Sequence, residues 1–125
     1  MDKIIPRWEW RSFGRSFGRA EALLAALTPE AVQESDEVYL LSGAGDNVKI
    51  RADLMDIKVL REINADGLEQ WMPVMKAGFP LPSADVARVF ESLQLPVPEL
   101  SRESYTFGQF IAAFAPPDAA IRRVN

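Results

Sequence analysis

Asn47-Val48-Lys49-Ile50-Arg51-Ala52-Asp53-Leu54-Met55-Asp56-Ile57-Lys58-Val59 holds two runs in which apolar and polar residues alternate, joined by two residues. Successive side chains of a strand point to opposite faces, so each run reads as a strand with one apolar side. A two-residue loop at Ala52-Asp53 pairs Arg51 with Leu54, Ile50 with Met55, Lys49 with Asp56 and Val48 with Ile57. Apolar then meets apolar, and a lysine lies opposite an aspartate. A slip of one residue would put Lys49 across from Met55 or Ile57, so the pattern selects its own register.

The same alternation occurs in Arg7-Trp8-Glu9-Trp10-Arg11. Across the three segments, one side collects Arg7, Glu9, Arg11, Lys49, Arg51, Asp56 and Lys58. The other collects Trp8, Trp10, Val48, Ile50, Ile57 and Val59. Five cations thus meet two acids on one side of a chain whose net charge is -4. A local basic face on an acidic protein points to a compact polyanion. It is also the ordinary solvated face of a half-buried antiparallel sheet, and the pattern alone leaves both readings open.

Working outward, residues 5–13 read as a first strand, ended by Gly14 and Gly18. Residues 19–27 read as a helix through Ala20, Leu23, Leu24 and Leu27. Thr28-Pro29 reads as the start of a short second helix to about Glu34. Glu37 to Ser42 reads as a strand, Gly43-Ala44-Gly45-Asp46 as a turn, and residues 47–51 and 54–62 as the hairpin. Residues 66–79 read as helical at first, through Leu68, Trp71 and Met72, and broken by Pro73. Ser83 reads as the cap of a helix with Val86, Val89, Phe90 and Leu93 on its buried stripe, stopped by Pro96 and Pro98. Tyr105 to Ile111 reads as a strand, and residues 116–125 as a loose tail. No internal repeat and no low-complexity segment is read. The fold class is α+β with a mostly antiparallel sheet and flanking helices, in one domain spanning 1–125.

The 125 residues contain no cysteine and no histidine. Thiol nucleophiles, disulfides, histidine bases and histidine ligands are therefore excluded, and a metal would need oxygen donors. Candidate donors are Glu9, Asp56 and Glu62. Glu62 shares the parity of Asp56 and Lys58 if its strand runs straight, whereas Asp56 also reads as the cross-strand partner of Lys49. Trp8 and Trp10, opposite in parity to the charges, read as core beneath the sheet. Gly43-Ala44-Gly45-Asp46 precedes a strand, not a helix, so it reads as a hairpin turn rather than a phosphate cradle. No run approaches the ~18 apolar residues of a spanning helix. The N-terminus lacks the apolar core of a signal peptide, so a cytoplasmic location is expected. The acidic balance argues against duplex nucleic acid.

The order of these pieces resembles the CYTH-like, or triphosphate tunnel metalloenzyme, superfamily. Arg7-Trp8-Glu9-Trp10-Arg11 stands where that family carries its opening Glu-x-Glu-x-Lys strand, with Arg7 in place of the first Glu and Arg11 in place of the Lys. Lys49-Ile50-Arg51 stands at its basic pair, and Asp56-Ile57-Lys58, followed by Arg61-Glu62, at its lysine strand. The likeness covers about residues 5–110, the first half of such a fold. It implies half of, or a reduced form of, a tunnel-like antiparallel β-barrel. It further implies that Arg7, Arg11, Lys49, Arg51 and Lys58 bind a triphosphate or polyphosphate, and that Glu9 and Glu62 hold Mg²⁺ or Mn²⁺. Metal-dependent phosphohydrolase activity is the corresponding chemistry. A homodimer or a C-terminal half would complete the tunnel.

Two other readings stand beside it. One is a non-enzymatic interaction module that dimerises or pairs with a partner through sheet edges, with no membrane involved. The other is a single-strand RNA binder, which requires Trp8 and Trp10 to be exposed on the charged side.

Overall fold

The computed structural model describes residues 7–43 and 46–125. In chain order the elements are β1 (Trp8–Glu9), α1 (Gly18–Ala25), β2 (Glu37–Leu41), β3 (Asn47–Arg51), β4 (Leu54–Ile63), β5 (Glu69–Gly78), β6 (Leu81–Pro82), α2 (Ser83–Ser92), β7 (Ser104–Tyr105), α3 (Phe107–Phe114) and β8 (Arg122–Val124). Six strands form one sheet in the order β1-β5-β4-β3-β2-β8, with every pairing antiparallel. The sheet is open and ends at β1 and β8. A two-stranded ribbon joins β6 to β7. The architecture is α+β.

The β3–β4 hairpin has the expected register: Arg51 faces Leu54, Ile50 faces Met55, Lys49 faces Asp56 and Val48 faces Ile57. Its loop residues Ala52 and Asp53 both have positive φ, 49° and 62°. That is the conformation a tight two-residue hairpin demands. Val48, Ile50, Met55, Ile57, Leu40 and Met75 then line one sheet face, on which α2 packs with Val86, Val89, Phe90 and Leu93. The helical stripe of α2 is as the sequence spaced it. Its N-cap, however, is Pro82, and Ser83 is the first helical residue.

Three segments depart from the sequence reading. Residues 69–78 are a strand, not a helix. Asn64 decides this by turning the chain. Its side-chain Oδ1 accepts hydrogen bonds from the backbone N–H of Asp66 (3.0 Å) and Leu68 (2.9 Å), which sends the next residues back along β4. Pro73 is tolerated because β5 bulges beside it: Ile57 faces Met75 while Lys58 faces Pro73, leaving Val74 as the extra residue. The Val74 carbonyl is taken by Arg88 Nη2 at 3.1 Å.

Residues 107–114 are helical rather than extended. Thr106 Oγ1 accepts from the Gln109 N–H, and Gln109 Oε1 accepts from the Thr106 N–H, a reciprocal capping box. Phe110 is fully buried, with ring centroids 5.3 Å from Phe114 and 5.9 Å from Phe79. Thr106→Ala is expected to cost about 1 kcal/mol of stability, read as a lowered urea midpoint; an unchanged midpoint would show that the cap is dispensable.

The tail is not loose. Ile121 is buried, and Arg122–Val124 pair with Tyr39–Leu41 as an edge strand. Conversely, no helix forms over residues 28–34, and the first strand shrinks from 5–13 to Trp8–Glu9, with residues 5 and 6 outside the described residues. Neither segment finds a surface to bury against. Trp8 and Trp10 are exposed rather than core, because β1 lies at the sheet edge beyond the reach of α2 and α3. The turn expected over Gly43–Asp46 includes residues 44 and 45, which lie outside the described residues.

Candidate functional site

The sheet face away from α2 and α3 carries the charged residues. Cross-strand register sets them in rows. Tyr39 faces Lys49, Lys49 faces Asp56, and Asp56 faces Lys76. In the next row Glu37 faces Arg51, which faces Leu54. On the other side Asn47 faces Lys58. Arg122 of β8 faces Leu41, whose parity is that of Tyr39, so it joins the same face at the edge.

Glu37 is the hub of the arrangement. Its Oε1 lies 3.6 Å from Lys49 Nζ and 3.7 Å from Arg51 Nη1, and its Oε2 accepts a 2.9 Å hydrogen bond from the Tyr39 hydroxyl. Lys49 Nζ also stands 5.9 Å from the centre of the Tyr39 ring. The hydrogen bond from Tyr39 is the largest influence holding the Glu37 carboxyl below its ordinary range, with Lys49 and Arg51 adding to it and burial opposing it. The same hydrogen bond pushes the Tyr39 phenol up.

A carboxyl depressed in the folded state contributes stability that is present above its unfolded value and lost as pH falls through the folded one. For Glu37 that loss begins near pH 4.5 and continues downward. Glu37→Gln is therefore expected to flatten the fall in urea midpoint below this pH. Parallel acid limbs for the two proteins would rule Glu37 out as a source of acid sensitivity.

The centre of the face is shielded from water, while its margin is open: the Arg51 side chain is 42% exposed and Lys76 is exposed. Asp56 is only 4% exposed and the Lys49 side chain 15%. A cleft of about 440 Å³ runs between Gln33, Glu34 and Ser35 on one side and Arg51, Asp56 and Lys76 on the other. Enclosure matters because an ion contact shielded from water is worth several times an exposed one.

Of the seven residues singled out for the site, Lys49, Arg51 and Lys58 are brought together on this face. Arg11 sits at the β1–β5 corner, 2.8 Å from Glu9 Oε2 and 4.0 Å from Glu69 Oε2, and 5.6 Å from the Trp71 ring centre. Trp71 faces Leu60, whose parity is that of Lys58, so Arg11 lies over the same polar face at its far corner. Arg7 is exposed and lies outside β1.

The two expected metal ligands part company. β4 carries a second bulge, with Leu60 facing Trp71 and Glu62 facing Gln70, so Arg61 is the extra residue and the parity beyond it reverses. Glu62 then shares a face with Trp8, which also faces Gln70. Glu9, facing Glu69, is on the other. Among the described residues no cluster of three or more acidic donors could hold a metal ion. The residues present do not fit the expected Mg²⁺ or Mn²⁺ pair.

Sequence reasoning missed Glu37, Tyr39, Lys76 and Arg122. Glu37-Val38-Tyr39 had the right alternation but was read only as a strand. Lys76 and Arg122 fell in segments read as helix and tail. No protein-family model, no curated protein and no solved structure matches the chain.

Proposed function

We propose that the polar sheet face binds a compact oligophosphate-type anion, with Lys49, Arg51, Lys58 and Lys76 as its main donors. One observation carries this reading: four cations on three adjacent strands share a face on which those strands place two acids, Asp56 and, at the far corner where Trp71 and Arg11 engage it, Glu69, with Glu37 on the neighbouring strand. Phosphate oxygens spread their charge over several acceptors, and donors converging from neighbouring strands match that distribution. Glu37 is the internal competitor. An incoming anion takes over Lys49 and Arg51 from it, while the Tyr39 hydroxyl keeps the displaced carboxylate hydrogen-bonded. The role is binding; hydrolysis would need metal donors that Glu9 and Glu62 do not bring to one place.

Calorimetric titration with inorganic tripolyphosphate, with and without Mn²⁺ and at low and moderate salt, tests the proposal. Saturable micromolar binding that survives moderate salt supports it. No heat from a folded chain removes it.

A second reading is a non-enzymatic module that pairs through a sheet edge. It is favoured by β5, whose outer side is paired by β1 only at Glu69 and Gln70 while the strand runs on to Gly78. A concentration-dependent dimer by light scattering, without anion affinity, would favour it over the first.

A further inference from the structure

The region between β1 and β2 contains a feature that neither reading uses. Arg11-Ser12-Phe13-Gly14 is followed at once by Arg15-Ser16-Phe17-Gly18 and then Arg19, a four-residue unit given twice and closed by a third arginine. The chain therefore does carry a short internal repeat, contrary to the sequence reading above. The rings in the repeat and just before it stand in water: Trp10 is 70% exposed and Phe13 87%, and Phe17 is exposed as well. α1 follows directly and buries none of its residues. Leu23, Leu24 and Leu27 are exposed on it and just beyond it.

We infer that residues 10–27 form a docking surface for an anionic lipid bilayer. Charge complementarity is the first argument. The segment carries Arg11, Arg15 and Arg19 against the single acid Glu21, in a chain whose net charge is -4. Arg15 and Arg19 form no ion pair with another described residue, whereas Arg11 is held by Glu9 and Glu69. An anionic surface attracts this segment and repels the acidic remainder, which fixes which side of the molecule approaches.

The apolar groups are the second argument. Exposed tryptophan and phenylalanine beside arginine suit the headgroup level of a bilayer, and leucines suit the acyl boundary below it. A single-stranded nucleic acid could use the arginines and the rings but would leave Leu23, Leu24 and Leu27 in water. Among the described residues no helix is long and apolar enough to cross a membrane. The contact is therefore with the surface, a mode that the expectation of no membrane partner, drawn from the lack of a spanning run, did not consider.

Co-sedimentation of the chain with vesicles of phosphatidylcholine alone, and of phosphatidylcholine mixed with phosphatidylserine, tests this. The expected result is partition onto the mixed vesicles that weakens with salt, with a blue shift in tryptophan emission. Arg15→Ala with Arg19→Ala should lower the partition coefficient about 25-fold, roughly fivefold per arginine. Phe13→Ser with Leu24→Ser should lower it further. Both pairs are exposed, so circular dichroism should be unchanged. Absence of partition overturns the proposal. So does equal binding to both vesicle types that ignores the arginine changes, or saturable binding to single-stranded RNA in the absence of vesicle binding.

Discussion

Replacing Lys49 and Arg51 together with alanine is expected to weaken tripolyphosphate binding by at least about 100-fold, the loss of two charge-assisted contacts at about 1.4 kcal/mol each. The effect should exceed the simple loss of two donors. Both side chains neutralise Glu37, at 3.6 and 3.7 Å. Without them an incoming anion meets Glu37 on the face and Asp56 and Glu34 in the cleft, with less cation to offset them. Stability should fall by only about 1 kcal/mol, because ion pairs with partial access to water contribute little and the Tyr39 hydroxyl still serves Glu37. Arg102→Ala with Arg123→Ala removes the same net charge from exposed positions outside the cleft and is the control. Equal losses in the two double variants would mean that only net charge matters and would end the case for a site. The comparison is best read by calorimetry at moderate salt, where long-range attraction is screened.

Phe110→Ala is expected to cost about 4 kcal/mol, a large part of the total for a domain of this size. Phe110 is fully buried and lies at the centre of a ring cluster: Phe114 is 5.3 Å away and Phe79 5.9 Å, and Phe114 in turn meets Phe90 of α2 at 5.2 Å. Truncation removes the transfer energy of the ring and leaves a void that α3, fixed by its capping box at Thr106, cannot easily close. Phe13→Ala provides the contrast, since Phe13 is 87% exposed and should change stability by under about 0.5 kcal/mol. Urea denaturation of both variants settles it. Equal midpoints would mean that α3 does not pack where the ring contacts put it.

The parts of the fold legible in sequence are those whose side-chain pattern is local. The hairpin at 47–63 could be read because only one register sets apolar against apolar and Lys49 against Asp56. α2 could be read because four apolar residues fall on one helical stripe. β5 could not. Leu68, Trp71 and Met72 have helical spacing, and Pro73 looks like a breaker. The Asn64 turn and the bulge at Val74, which make both compatible with a strand, depend on the partner strand β4. α3 was missed for a different reason: Thr106 and Gln109 have the spacing of a capping box, but Tyr105, Phe107 and Phe110 are also common strand residues.

The site divides in the same way. Lys49, Arg51 and Lys58 share a face by alternation alone, and the sequence determined that much. It also determined that no thiol or imidazole chemistry is available, and that the basic residues stand out against an acidic chain. Tertiary structure decided the rest. A single extra residue at Arg61 moves Glu62 to the opposite face from Glu9, because parity survives only as long as the ladder is regular. Strand order brings Glu37 and Tyr39 beside Lys49 and Arg51, and Lys76 beside Asp56, across turns whose outcome no local pattern specifies. The cleft at the end of the row exists because residues 33–35 stand across from Arg51, Asp56 and Lys76. Alternation is a property of one strand, whereas a pocket is a property of neighbours, and those neighbours are chosen by packing of the whole chain.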